Sequence, residues 1–156
     1  TSMKIKKKIK GFLFYGLSGS GKSHLTKILK NKIKKNILVV DGDEVRKNIS
    51  FDLGYSIKDR KTQVKRILGI SKICLKNKFF PIISTVYMNS YIEKISKKNG
   101  IIVIKIIRPR LKMKSKIYKL KKDVIGKDLK MPKLKSKVIT NDGGKNFWKK
   151  IAKFTT

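Results

Sequence analysis

Eight consecutive residues near the start of the chain, Gly16-Leu17-Ser18-Gly19-Ser20-Gly21-Lys22-Ser23, constrain the fold more than anything else in it. They satisfy the pattern G-x-x-x-x-G-K-[ST] in full. Glycines at these spacings let the backbone curl until several N–H groups point into one concavity, which suits phosphate oxygens. A helix starting at the end of such a loop adds its positive N-terminal end. Lys22 can reach β- and γ-phosphates, and the Ser23 hydroxyl can bind Mg²⁺. A turn that merely joined a strand to a helix would have no need of the Lys-Ser pair.

The flanking sequence has the context that such a loop requires. Gly11 to Tyr15 (GFLFY) is a short apolar run that reads as a buried strand. Beyond the loop, Leu25, Ile28, Leu29 and Ile33 recur at helical spacing, which predicts a helix from Lys22 to Ile33. Further buried strands are predicted at Ile37 to Val40, Phe79 to Ser84 and Ile101 to Ile107, with a short fifth at Val138-Ile139. Helices are predicted over Asp43 to Ile49, from Ser56 through Leu75, over Tyr91 to Lys97, over the lysine-rich Lys112 to Lys122, and around Phe147, Ile151 and Phe154. Asp123 to Lys135 reads as loop. Strands alternating with helices predict an α/β protein: a three-layer P-loop NTPase fold with a five-stranded, mostly parallel sheet flanked by helices. With 156 residues, a single P-loop kinase domain over residues 3–156 is expected, Thr1 and Ser2 reading as a cloning remnant ahead of Met3.

A second group of residues suits the acceptor side of a phosphoryl transfer. Asp41-Gly42-Asp43 follows directly on a predicted strand, and ligands of parallel sheets gather outside the carboxyl ends of strands. One carboxylate could orient an acceptor hydroxyl or take its proton, and either could hold Mg²⁺ through water. The plainer alternative is that Asp43 caps the short helix. Arg46, Arg60 and Arg66 are three of only five arginines, in a chain that otherwise uses lysine. Arginine offers a planar fork to phosphate or sulfate, and Tyr55, between two of them, could stack on a base.

Net charge is extreme: 42 Lys and Arg against 9 Asp and Glu, or +33. Such a field attracts any polyanion. The lysines, however, spread over the whole chain, arginine is scarce, and no interleaved aromatics suggest a stacking platform. Compositional drift explains the excess better than a dedicated nucleic-acid site, although a basic nucleic-acid-binding P-loop protein remains the alternative of another class. Expected partners are therefore small nucleotides, with no specific nucleic acid and no membrane, and a homodimer left open. The sole cysteine, Cys74, and the lack of a membrane-length apolar run suit a cytoplasmic protein. Cys74 sits on an apolar helix face and reads as core, and no His/Cys cluster suggests zinc.

Three motifs together carry a family resemblance. GLSGSGKS, then DGDEVR at Asp41 to Arg46, then DLGYSIKDR at Asp52 to Arg60 are similar in order and spacing to GLSGxGKS, DGDxxR and LGFSxxDR of the adenylylsulfate kinases. The resemblance implies a P-loop fold and transfer of the ATP γ-phosphate to the ribose 3′-hydroxyl of adenosine 5′-phosphosulfate, with Mg²⁺. It implies Asp43 as the acceptor-side carboxylate beside Lys22, and ATP held by Gly16 to Ser23 and the adjoining His24. Ser23, Asp41 and Asp43 would serve the metal. Arg46 and Arg60 would hold the substrate's anionic group, Tyr55 replaces the usual stacking Phe, and Gln63 stands where the family often has Asn. Ser84 and Thr85 would line the acceptor pocket. The second half departs from the pattern: Ser84-Thr85-Val86-Tyr87 replaces a serine followed by Pro-Tyr, and an RDPKGLY segment is missing. That departure keeps a relative open that phosphorylates cytidine diphosphoramidate in surface-polysaccharide modification.

Overall fold

The computed structural model describes residues 3–109, 133–144 and 146–154. The predicted helix over Lys112 to Lys122 and most of the predicted loop over Asp123 to Lys135 lie outside them. Five strands, β1 (Gly11–Tyr15), β2 (Ile37–Asp41), β3 (Phe80–Thr85), β4 (Ile101–Ile107) and β5 (Lys137–Thr140), form one sheet in the order β2-β3-β1-β4-β5. Every neighbouring pair is parallel. Parallel strands need crossovers, and four helices supply those between β1 and β4: α1 (Lys22–Lys32), α2 (Gly42–Asn48), α3 (Ile57–Lys76) and α4 (Ser90–Lys98).

The central strand shows why the run GFLFY folds this way. All five of its residues are buried, because successive side chains point to opposite faces and both faces are covered. Phe12 and Phe14 join Leu25, Leu29, Ile82 and Ile104 in one core layer under α1. Leu13 and Tyr15 join Val64, Ile67, Ile83 and Ile92 in the other, under α3 and α4. Leu29 is fully buried, so its truncation to alanine should cost about 2–5 kcal/mol.

Several boundaries differ from the sequence reading. β3 begins at Phe80, and Phe79 is 42% exposed. The last helix is a 3₁₀ segment, Phe147–Phe154, with Phe147 and Ile151 buried. The short helix starts one residue early, at Gly42, and its cap is Asp41, whose Oδ1 accepts the Asp43 N–H at 3.2 Å. Asp43 is thereby released from capping, and its side chain is exposed. Ser56 caps α3 as its sequence suggests, accepting the Asp59 N–H at 3.2 Å.

Candidate active site

Because the sheet is wholly parallel, the carboxyl ends of β1, β2 and β3 share one edge, and the loop after β1 turns back across it into α1. Close approach and a positive φ make glycine necessary at two points. A Cβ on Gly16 would stand 2.3 Å from the Ile106 carbonyl oxygen. Gly21 has φ of +101°, and a Cβ there would stand 2.4 Å from Asn141 Nδ2. Gly21 is also the N-cap of α1, so no side chain occupies the first N–H groups of that helix, and no acidic residue lies in its first turn.

Lys22 lies at the centre of this loop, buried. Its ammonium donates to the Gly16 carbonyl at 2.7 Å and the Leu17 carbonyl at 2.9 Å, with Ser20 Oγ at 3.5 Å. Burial lowers its pKa from 10.5 to about 8, partly offset by the negative charges of Asp43 and then Asp41. Lys22 and the two carboxylates therefore belong to one electrostatic unit. Ser18, Gly19, Ser23 and His24 line the solvent side of the loop and the first turn of α1. His24, which has no evident partner in the sequence, stacks on Phe147 with ring centroids 6.4 Å apart.

Asp41 closes β2, in register with Ser84 of β3. Burial raises its pKa; the hydrogen bond from Asp43 N–H opposes this, and the charges of Asp43 and Glu44 add to it. A carboxylate crowded by two others is relieved by a cation. Mg²⁺ typically keeps several waters and takes one or two carboxylates plus phosphate oxygens. Asp41, Asp43 and the Ser23 hydroxyl fit that donor set, whereas no group of three or more His, Cys, Asp or Glu suited to an all-protein metal cage occurs among the described residues.

The region expected to face an acceptor is built from side chains. Arg46 on α2 lies 4.3 Å, and Arg60 on α3 5.4 Å, from the centre of the Tyr55 ring. Arg46 donates to the Gly54 carbonyl at 2.8 Å, and Arg60 Nε to the Tyr55 carbonyl at 2.9 Å. The loop is thus fixed by the same guanidinium groups that flank its aromatic ring. Gln63 Nε2 donates to the Gly42 carbonyl at 3.0 Å, while its buried Oε1 has no partner among the described residues. Ser84 and Thr85 are buried behind Gly42, where a Cβ would stand 3.0 Å from the Ser84 carbonyl oxygen. Arg66 is engaged elsewhere, in a two-pronged pair with Asp52 at 2.7 and 2.9 Å.

Two residues of the site escape a reading of the sequence. Asn141, buried just past β5, donates from Nδ2 to the Ser20 carbonyl at 3.0 Å and accepts the Gly143 N–H on Oδ1 at 3.0 Å. Phe147 packs against Gly21 and His24. The one signal for them was position: Asn141-Asp142-Gly143-Gly144 is a turn at the carboxyl end of a strand, on the edge where the loop lies.

A five-stranded parallel sheet with a glycine-rich phosphate loop, its lysine, and carboxylates at the next strand end defines a P-loop α/β domain of the nucleotide-phosphate-binding class. Within that class the chain belongs to the adenylylsulphate kinase family, whose sequence model matches residues 10–99. It is 34% identical over 86 residues to an adenylyl-sulfate kinase of Pseudomonas aeruginosa, covering 53% of this chain and 44% of that protein. It is 36% identical over 74 residues to a probable adenylyl-sulfate kinase of Synechocystis sp., covering 46% and 42%. The matched stretch thus spans less than half of these curated relatives. The fold as a whole is similar to the APS kinase of Mycobacterium tuberculosis solved with AMPPNP and APS: TM-score 0.70, 20% identity, 98% of this chain and 95% of that one covered.

Proposed function

We propose that the chain is an ATP-dependent kinase that transfers the γ-phosphoryl group to a ribose hydroxyl of a small nucleotide, adenosine 5′-phosphosulfate being the preferred acceptor. The observation that carries this reading is the electrostatic unit of Lys22 with Asp41 and Asp43, next to arginines already gathered on an aromatic ring. Lys22 and the loop N–H groups stabilise charge on the transferring group, in line with an acceptor oxygen. Asp43, exposed and free of capping duty, accepts the hydroxyl proton. Arg46 and Arg60 hold the acceptor's anionic group and Tyr55 its base, while Gln63, Ser84 and Thr85 close the pocket. Mg²⁺, held by Ser23, Asp41 and Asp43, would neutralise charge on the donor phosphates. Residues 3–156 act as one kinase domain, in the cytoplasm.

A second acceptor, cytidine diphosphoramidate, is favoured by one observation: the family match ends at residue 99, and the sequence beyond departs from the family pattern. Coupled assays with ATP and each acceptor test both. Turnover of adenylylsulfate is the expected result. Turnover of the cytidine compound alone would overturn the acceptor and keep the kinase, and turnover of neither would overturn both.

A further inference from the structure

The parallel sheet has a second end, opposite Lys22 and Asp43, where the chain enters β1 to β4 at one level, while β5 begins three residues further along, Lys137 pairing with Ile104. The segment leading into each strand brings a pair of exposed lysines. Lys34 and Lys35 precede β2, and Lys76 and Lys78 precede β3. Lys8 and Lys10 precede β1, Lys97 and Lys98 precede β4, and Lys133 and Lys135 precede β5. Adjacent strands lie about 4.8 Å apart, so the pairs form a row about 20 Å long. Backbone hydrogen bonds hold the segments together: Phe80 N–H to the Asn36 carbonyl at 2.6 Å, Met3 N–H to the Lys32 carbonyl at 2.7 Å, and Lys10 N–H to the Gly100 carbonyl at 2.8 Å.

The described acidic residues lie elsewhere except Glu93, which pairs with Lys97 and accepts from Ser136, next to Lys135. Asp41 closes β2, Asp43 and Glu44 open α2, and Asp52 lies between α2 and α3. Asp59 and Glu93 sit in the first turns of α3 and α4, and Asp142 follows β5. Among the ten lysines, Lys97 alone has a carboxylate partner in the described residues, Glu93 at 3.7 Å.

Helix dipoles account for part of this, because they favour cations in a last turn. That covers Lys76, Lys97 and Lys98. It leaves Lys8, Lys10, Lys34, Lys35, Lys78, Lys133 and Lys135, which lie outside helices, and a lysine-rich composition alone would not hold the described carboxylates touching this edge to Glu93. The row offers point charges rather than the planar forks that read base edges. Phe79, 42% exposed, stands next to Lys78, and Ile73, 65% exposed, lies one turn before Lys76. Apolar side chains beside lysines match a headgroup layer, which takes the cations at its surface and apolar tips beneath.

We propose that this lysine edge docks the protein on an anionic phospholipid surface, with the phosphate loop facing away into solvent. The full chain would be sedimented with phosphatidylcholine vesicles, with and without phosphatidylglycerol. Binding is expected only with phosphatidylglycerol, and it weakens as salt rises. Each lysine near such a surface is worth about fivefold in affinity, so Lys34→Gln, Lys78→Gln and Lys98→Gln together should cost on the order of 100-fold. Lys47→Gln, Lys58→Gln and Lys61→Gln change the net charge equally from outside the row and should cost far less. Equal losses from the two triple variants would show bulk charge only and overturn the proposal. So would a single-stranded oligonucleotide that binds the same row more tightly than the vesicles do.

Discussion

The glycine-rich loop and the arginine–tyrosine wall, proposed as donor and acceptor sides, are held by different means. The loop keeps its shape through backbone: glycines at Gly16 and Gly21 that admit no Cβ, and a distant turn that grips the Ser20 carbonyl through Asn141. The wall keeps its shape through side chains: Arg46 and Arg60 tie down Gly54 and Tyr55, and Gln63 reaches Gly42. In the proposed reaction the backbone groups would bind what all nucleoside triphosphates share, and the side chains would decide which acceptor fits. Retuning such an enzyme would therefore alter the wall first.

If that division holds, variants should separate donor from acceptor effects. Lys22→Ala should lower kcat/KM by about 10³-fold or more, with Tm kept or raised, because a buried ammonium is removed. Activity close to wild type would refute the assignment. Asp43→Asn comes next, with kcat down about 10²-fold or more and the KM for ATP nearly unchanged. A raised KM for ATP with kcat kept would move Asp43 to the donor side.

The pH dependence of the donor half should be smaller and graded. Lys22 in the free enzyme loses its proton above about pH 8, so kcat/KM for ATP should fall about tenfold per pH unit beyond that point. Stability should move the other way. Between about 8 and 10.5 the unfolded chain holds a proton on Lys22 that the folded one has released, so stability rises with pH there. Lys22→Met should remove that increment, as measured by Tm against pH. Asn141→Ala should follow, raising the KM for ATP about fivefold by freeing the Ser20 carbonyl, while the acceptor KM stays put.

The two regions also differed in how far the sequence revealed them. Motif residues contiguous along the chain made the loop legible, as apolar runs of fixed period did for β1 and α3. Asn141 was hidden because its contact with Ser20 spans most of the chain and rests on topology alone. Asp41 holds the cap that the alternative reading gave to Asp43, because the helix starts at Gly42, directly after β2. The lysines look scattered when read in order. Parallel pairing gathers ten of them on one edge, which no local pattern encodes.

The smallest effect should come from the pair Asp52–Arg66, which ties the loop carrying Gly54 to α3. The hydrogen bond from Arg66 holds the Asp52 carboxyl below the usual carboxylate range. That sign means the pair stabilises above the ordinary aspartate pKa and is lost as pH falls through the lowered one. Both side chains are substantially exposed, however, at 33% for Arg66 and 52% for Asp52, and water and salt screen such pairs heavily. Asp52→Asn should therefore shift Tm by no more than a few degrees and leave the KM for ATP untouched. The acceptor KM should rise no more than about twofold, since Arg46 still holds Gly54. A larger rise, confined to the acceptor, would mean that the wall depends on this outer pair for its shape. It would then be softer than its buried arginine, Arg60, suggests.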